Sequence, residues 1–407
     1  MEYYEPDGYH PVHIGDFFHN RYRVVHKLGH GTFSTIWLAR DEALSRYVAL
    51  KICTADSDPV ESQILSQLSQ SLSTDGRASM VPAVLDKFDI HGPNGRHVCL
   101  VTRPARVSLA GARSASWISL FQIGVARAMA AQLVTVTRYI HSQGFVHGDI
   151  HRGNILLHPR SGFDRLSTKE LYQLYGEPEL IPVTRYDGQP IPPNVPSHGV
   201  VPVWLGERSE NITLAEASII LSDFGTAFSP ALKSTFKSHT PLSIRPPEAT
   251  FQPTTPLTFS SDIWTLACTI WDMVSQRPLF ENFLTNEDDM TCQQIGTLGP
   301  LPAEWWEKWA GGRDHFTHDG KPKNPDTFHY MPLEHIFQQD VQKARIEAKM
   351  PPLELKERDA FLDMIRRMLS FKPEDRPSAK EVLESEWMVQ WAIPEYEKMR
   401  NLREITS

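Results

Sequence analysis

In the segment HGDIHRGNILL, residues 147–157, Asp149 and Asn154 stand five apart in a loop between a helical stretch and an apolar run. A carboxylate in such a loop can accept the proton of a hydroxyl, while an amide oxygen at this spacing can hold a magnesium ion. Downstream, LSDFGTAF, residues 221–228, sets Asp223 after a strand as a second cation ligand, with Gly225 allowing a sharp turn. Upstream, LGHGTFSTIW, residues 28–37, places Gly29 and Gly31 between two strand-like runs, with Ser34 where a third glycine is an option. Glycines there let backbone N–H groups approach phosphate oxygens without a Cβ in the way. VALK then puts Lys51 at the end of a strand beside the same hairpin, and Glu61 on the following helix offers it a partner, with Asp56 and Asp58 as alternatives. A lysine held in this way presents a fixed charge to an α- or β-phosphate.

Each piece has an ordinary reading as well. A G-x-G is common in hairpins, a strand lysine often projects to solvent, and His, Asp and Asn are frequent turn formers. Glycine loop, VALK, HGDxxxxN and DFG in this order are together specific for phosphoryl transfer. Dinucleotide binding fits worse, because it needs a helix directly after the glycines and a strand follows here.

The elements that must position these groups change character along the chain. RYRVVHKLG, STIWLAR, RYVALKI and HVCLVT, between Tyr22 and Val101, are short, β-branched and aromatic, and broken by turn formers, which describes a small sheet. Between the third and fourth runs, Val60, Ile64, Leu65, Leu68 and Leu72 recur at helical steps and predict one amphipathic helix. Beyond Trp117, Ile118, Phe121, Val125, Met129, Leu133, Val136 and Ile140 predict a long helix ending near Gly144. DIWTLACTIWDMV is apolar nearly all round and predicts a buried helix, and ERDAFLDMIRRMLS an amphipathic one. Residues 158–218 interrupt this order with a stretch dense in proline and glycine, expected as a loop, partly extended or disordered.

Composition narrows the class. With 407 residues, 41% hydrophobic and 22% charged, the chain is a folded protein of one large or two medium domains. A net charge of −8 argues against binding nucleic acid through general positive charge. Cys53, Cys99, Cys268 and Cys292 lie far apart without a CxxC, so neither a disulfide framework nor a zinc site is expected. MEYYEPDGYH lacks the basic start and apolar run of a signal peptide, and no membrane span is read, so the expected location is cytoplasmic and/or nuclear.

These motifs resemble the eukaryotic protein kinases from Gly8 to about Trp391, and GYHPVHIGDFFHNRYRVVHKLGHGTFSTIWLA is similar to the opening of the SR-protein kinases. SIRPPE, residues 243–248, resembles the substrate-side stretch of the wider group that includes the CDC-like kinases, and QQIGTLGPLPAEWWEKW a later insert of SR-protein kinases. The resemblance implies an α+β, bilobal protein-kinase fold, with a small antiparallel-sheet N-lobe carrying one helix and a larger, mainly helical C-lobe. The boundaries read as an N-terminal segment at 1–20, an N-lobe at 21–102, a hinge at 103–106, a C-lobe at 107–393 holding the 158–218 insert, and a tail at 394–407.

The roles it implies are these. Asp149 is the catalytic aspartate, assisted by Lys51, Asn154 and His151, and Asn154 and Asp223 are the Mg²⁺ ligands. ATP is met by Leu28, Gly29, His30, Gly31, Ser34 and Ile36, by the Lys51–Glu61 pair, by Thr102 as gatekeeper and by the backbone from Arg103 to Ala105, with Ala49 and Leu156 above and below adenine. Glu248 pairs with Arg376, and Asp262 holds the backbone of the catalytic loop. The implied activity is Mg²⁺-dependent transfer of the γ-phosphate to serines of basic arginine/serine-rich proteins by a monomer, without nucleic acid or membrane. The acidic run of Glu281, Glu287, Asp288 and Asp289 is a candidate docking surface for such chains. A pseudokinase scaffold and a CDC-like dual-specificity kinase are the competing readings.

Two departures carry consequences. Gly148 replaces the arginine usual before the catalytic aspartate, which removes the clamp for a phosphorylated activation loop and predicts activity independent of that switch. His151 replaces a lysine, and a neutral imidazole steadies a γ-phosphate less well than an ammonium, leaving lower turnover or help from Arg152 as the expectation.

Overall fold

The computed structural model describes residues 3–58, 60–70, 80–281, 283–317, 321–324 and 331–406. It comprises two compact units, one of Met1–Val107 with Leu157–Gly206 and one of Ser108–Leu156 with Glu207–Ser407.

The first unit is built on a six-stranded antiparallel sheet of β1 (Phe17–Phe18), β2 (Tyr22–Gly31), β3 (Ser34–Asp41), β4 (Arg46–Cys53), β5 (Asp86–Gly92) and β6 (Gly95–Thr102), in the order β1-β2-β3-β4-β6-β5. Alternation assigns the faces. Val48, Leu50 and Ile52 of β4 pack with Val24, Trp37, Cys99 and Val101 in one core. Tyr47, one register position away, joins Val25 and Leu38 on the other face. The four strands expected from the sequence are present; β1 and β5 were not foreseen. β5 is an edge strand carrying Asp86, Lys87, Asp89 and His91, whose charges reach water there and break the apolar signal. The expected helix, α1, runs Val60–Gln70 and buries Ile64, Leu65 and Leu68, while the expected Leu72 lies outside the described residues.

The insert differs most from expectation. Residues 157–206 belong to the sheet unit rather than to the helical lobe, and the stretch is folded. It holds a helix, Thr168–Tyr175, started by a capping box between Ser167 and Glu170, and a short antiparallel pair, Leu180–Pro182 with His198–Val200. Phe163, Leu171 and Leu205 cover the sheet face of Val25, Leu38 and Tyr47. The Tyr47 N–H donates to Asp164 Oδ1 at 2.9 Å, the Tyr172 hydroxyl to Val25 O at 2.9 Å and the Val203 N–H to Lys27 O at 2.8 Å. Proline and glycine prevented long elements without preventing burial.

In the second unit α2 (Leu109–Ser114) leads to α3 (Ile123–Ser142), whose run from Val125 to Ile140 is almost wholly buried. Ile118 and Phe121 precede this helix, because the Ser116 hydroxyl accepts the N–H groups of Ile118 and Ser119 at 3.2 and 2.9 Å and Ser119 adopts φ 50°. The turn interrupts a helical apolar pattern without erasing it. The helix Phe259–Val274 is buried along nearly its whole length, as expected, and Leu355–Met368 buries Phe361, Met364, Ile365 and Met368 on one side. The C-terminal segment read as a tail is mostly helix, Ile393–Thr406, anchored by the buried Met399. Among the described residues no helix is long and apolar enough to cross a membrane.

Candidate active site

Each unit carries part of the expected chemistry. In the first, β2 and β3 close at the pair Gly31↔Ser34, with Thr32 and Phe33 forming the tip. Leu28, Gly29, His30 and Gly31 lie on β2, and Ser34 and Ile36 on β3. Gly29 and Gly31 have no neighbour where a Cβ would stand, so the backbone is open to an approaching group. Lys51 on β4 projects from the Tyr47 and Ala49 side of the strand and meets Glu61 of α1 at 2.7 Å, which decides among the three acids that the sequence left open. Both side chains are largely sheltered, so the pair is pre-oriented in a weakly screening setting. Ala49 is opposite Thr102 in the β4–β6 register, and Thr102 donates its hydroxyl to Arg103 O at 3.2 Å. Arg103 and Ala105 follow directly as extended chain.

The second unit holds the acid and amide groups. Asn154 donates Nδ2 to Asp149 Oδ2 at 3.1 Å and to Asp149 O at 3.0 Å, which uses the amide nitrogen and leaves the amide oxygen as its remaining acceptor. His151 accepts the Gly153 N–H at Nδ1 over 2.9 Å, so its proton sits on Nε2, 3.3 Å from the same Asp149 Oδ2. Asp149 Oδ1 is buried and has no hydrogen-bond partner among the described residues. One hydrogen bond on Oδ2, with His151 Nε2 close by, and none on Oδ1 leave a single directed acceptor.

The loop is held from below. Asp262, buried on the helix Phe259–Val274, accepts the His147 N–H at 2.7 Å and the Gly148 N–H at 2.9 Å, and His141 Nε2 lies 2.9 Å from its Oδ2. Burial alone would raise the Asp262 pKa, but the His141 hydrogen bond and the surrounding imidazoles and amides outweigh it and hold it below the usual value. His147 is fully buried, which lowers its pKa and keeps it neutral, with Nδ1 accepting the Asp149 N–H at 3.3 Å and Nε2 donating to Ser222 O at 3.1 Å. Ser222 returns its N–H and hydroxyl to Asn154 O at 2.8 and 2.9 Å, which ties the segment carrying Asp223 to the Asn154 loop. Asp223 stands in the left-handed region at φ 64°, a conformation that Asp tolerates better than most side chains. Leu156 lies half-buried on the strand Ile155–Leu157, paired with Ile219–Leu221.

Gly148 has its own explanation. At φ 78° it occupies a region costly for an L side chain, and a Cβ would come within 3.1 Å of Thr226 O. The loop geometry itself calls for glycine. Arg152, suggested as a helper for His151, is engaged instead with Asp272 at 3.1 Å.

The donor set fits Mg²⁺ delivered with a nucleotide. Among the described residues no group of three or more His, Cys, Asp or Glu is arranged for a metal, whereas Mg²⁺ is commonly held by one or two protein oxygens together with phosphates. Asn154 and Asp223 supply two such oxygens. The expected Glu248–Arg376 pair forms, bidentate at 2.8 and 2.6 Å, with the guanidinium also donating to Ser370, Ser260 and Phe371 carbonyls. Of the acidic run, Glu287 meets Arg245 at 3.3 Å, Asp288 accepts from Trp309 Nε1 at 2.7 Å and Asp289 caps the helix Glu287–Leu298. Those three acids therefore have structural partners. Ser222 and Tyr9, whose hydroxyl reaches Gly31 O, lie inside segments singled out in the sequence, but nothing in their spacing assigns them a role in the site.

The Protein kinase domain family matches residues 22–167 and 208–388, and the chain belongs to that family. It is a protein serine/threonine kinase, and its relatives include SR-protein kinases. A serine/threonine protein kinase of Aspergillus fumigatus is 27% identical over 94% of this chain and 88% of its own length. Serine/threonine-protein kinase SRPK of Physarum polycephalum is 26% identical over 95% of this chain and 90% of its own, and human SRSF protein kinase 3 is 35% identical over 37% of this chain and 28% of its own. A crystallised kinase domain at 20% identity superposes with a TM-score of 0.65 over 93% of this chain and 98% of that one, which shows the shared fold.

Proposed function

We propose that this kinase transfers the γ-phosphate of ATP, with Mg²⁺, to serines in arginine/serine-rich protein segments. The observation that carries the transfer step is the divided Asp149 carboxylate, with Oδ2 hydrogen-bonded to Asn154 and 3.3 Å from His151 Nε2, and Oδ1 buried and bare. Oδ1 is the atom to accept the serine hydroxyl's hydrogen bond and orient it for in-line attack. Lys51, fixed by Glu61, holds the α- and β-phosphates, while the amide oxygen of Asn154 and the carboxylate of Asp223 hold the cation. When bound, Mg²⁺ neutralises charge on the phosphates. His151 acts through Asp149, orienting the carboxylate with its Nε2–H, and the γ-phosphate receives no lysine-like charge from that position.

Substrate choice rests on kinship with proteins named SRPK and SRSF protein kinase, and location in cytoplasm or nucleus is inferred with it. Although Glu287 and Asp288 have structural partners, both remain exposed and are the members of the run best placed to meet a basic chain. The test is transfer of labelled phosphate from MgATP to an arginine–serine repeat peptide and to an arginine–tyrosine counterpart. Wild type labels the serine peptide, and Asp149→Ala lowers kcat by about 10²–10⁴-fold with its melting temperature kept. Labelling of neither peptide rejects the substrate class, and label on tyrosine selects the dual-specificity alternative.

A further inference from the structure

The glycine hairpin does not stand alone at the edge of its sheet. Tyr9, 7% exposed and 22 residues before Gly31 in sequence, donates its hydroxyl to Gly31 O and lies 3.2 Å from Thr32 O. At the same tip the Thr54 N–H donates to Phe33 O at 2.9 Å. Three successive carbonyls of the turn are thus engaged by groups from outside the hairpin. In a trans peptide the N–H points opposite to the carbonyl of the same plane. Holding Gly31 O and Thr32 O toward Tyr9 therefore turns the N–H groups of Thr32 and Phe33 away from it, in the orientation a phosphate-cradling loop needs.

Tyr9 is itself anchored. Asn94, buried in the turn between β5 and β6, donates Nδ2 to Tyr9 O at 2.7 Å, and the Ala55 and Asp56 N–H groups donate to Gly8 O and Asp7 O at 3.2 and 3.1 Å. Next along the chain, the ring of His10 packs 5.0 Å from that of His97 on β6. The N-terminal segment is a strap fastened to the sheet behind the hairpin, and its one side chain that reaches the turn ends in a hydroxyl.

We propose that Tyr9 is a positioning residue for ATP: its hydroxyl fixes the peptide planes of the hairpin tip and so presets the N–H groups that receive the phosphates. The inference rests on the kinase reading above and adds a residue to it. Tyr9→Phe keeps the ring and its edge contacts with Tyr3 and Tyr4 while removing only the hydroxyl. The expected result is a KM for ATP raised about fivefold, the factor for one hydrogen bond of ordinary net strength. The KM for the peptide substrate stays at its wild-type value, and the melting temperature falls by no more than a few degrees, as loss of one hydrogen bond predicts. Amide hydrogen exchange at Thr32 and Phe33, compared with and without MgATP near the wild-type KM, is slowed less by nucleotide than in wild type. An unchanged slowing by nucleotide, or a smaller slowing with an unchanged KM for ATP, overturns the proposal while leaving the kinase reading intact. A wild-type chain that takes up no MgATP in calorimetry overturns both.

Discussion

The glycine hairpin of the first unit and the catalytic loop of the second are both short turns presenting polar groups, yet they are supported in opposite ways. The hairpin and its sheet are held by chain from remote stretches: Tyr9 at the tip, Thr54 beyond β4, and the insert across the Val25, Leu38 and Tyr47 face. The catalytic loop is held chiefly by one buried carboxylate, Asp262, which takes two successive backbone N–H groups and a histidine. Distributed support fails gradually when one contact is lost. Support by a single charge fails at once, because its removal strands several buried donors.

Asp262→Ala breaks this contrast at its sharpest point. It leaves the His147 and Gly148 N–H groups buried and unpaired, and a stability loss of about 3–5 kcal/mol is expected, together with loss of transfer, by denaturant titration and kinetic assay. The corresponding cut in the distributed region is Leu171→Ala, which opens a cavity between the insert and the sheet. A loss of about 2–4 kcal/mol is expected, with the Asp149-dependent transfer retained below the melting transition. Equal inactivation by the two variants would erase the distinction.

Gly148→Ala sharpens it from within the loop. The left-handed backbone and the 3.1 Å approach to Thr226 O predict a cost of about 1–3 kcal/mol. In the segment downstream, the hydroxyls of Ser238 and Thr240 are buried and 2.7 Å apart, the Leu257 N–H holds Thr235 O at 2.7 Å, and Gly148 leaves no guanidinium before the catalytic aspartate to clamp a phosphate. Dephosphorylated protein is therefore expected to remain active. An inactive phosphatase-treated enzyme, alongside an inactive variant with alanine at Ser229, Ser234, Thr235, Ser238 and Thr240, would contradict this.

The smallest effect concerns the strap. Burial, reinforced by the neighbouring His97 and only partly opposed by Asp16, lowers the His10 pKa from the usual 6.5 to about 4. Between those values the unfolded chain binds a proton that the folded chain refuses, so stability is complete above pH 6.5 and declines as pH falls toward 4. On the order of 1–2 kcal/mol is expected to be lost over that window. His10→Gln should flatten this part of the melting-temperature profile, and an unchanged slope would assign the acid sensitivity to other groups.

What the sequence determined alone was whatever depends on neighbours a few residues apart. Short β-branched and aromatic runs between turn formers marked four strands, helical steps marked α1 and α3, a run apolar nearly all round marked the buried helix carrying Asp262, and the spacing of Asp149 and Asn154 allowed the direct hydrogen bond that forms. Only the tertiary structure chose Glu61 over Asp56 and Asp58, folded the proline-rich insert onto the sheet unit, ended the apolar run at Ile118 in a serine turn and brought Tyr9 to the glycine hairpin. Those outcomes turn on which buried polar groups find partners across long stretches of chain. That quantity leaves no period in the sequence, because any of many distant residues can supply the matching donor or acceptor.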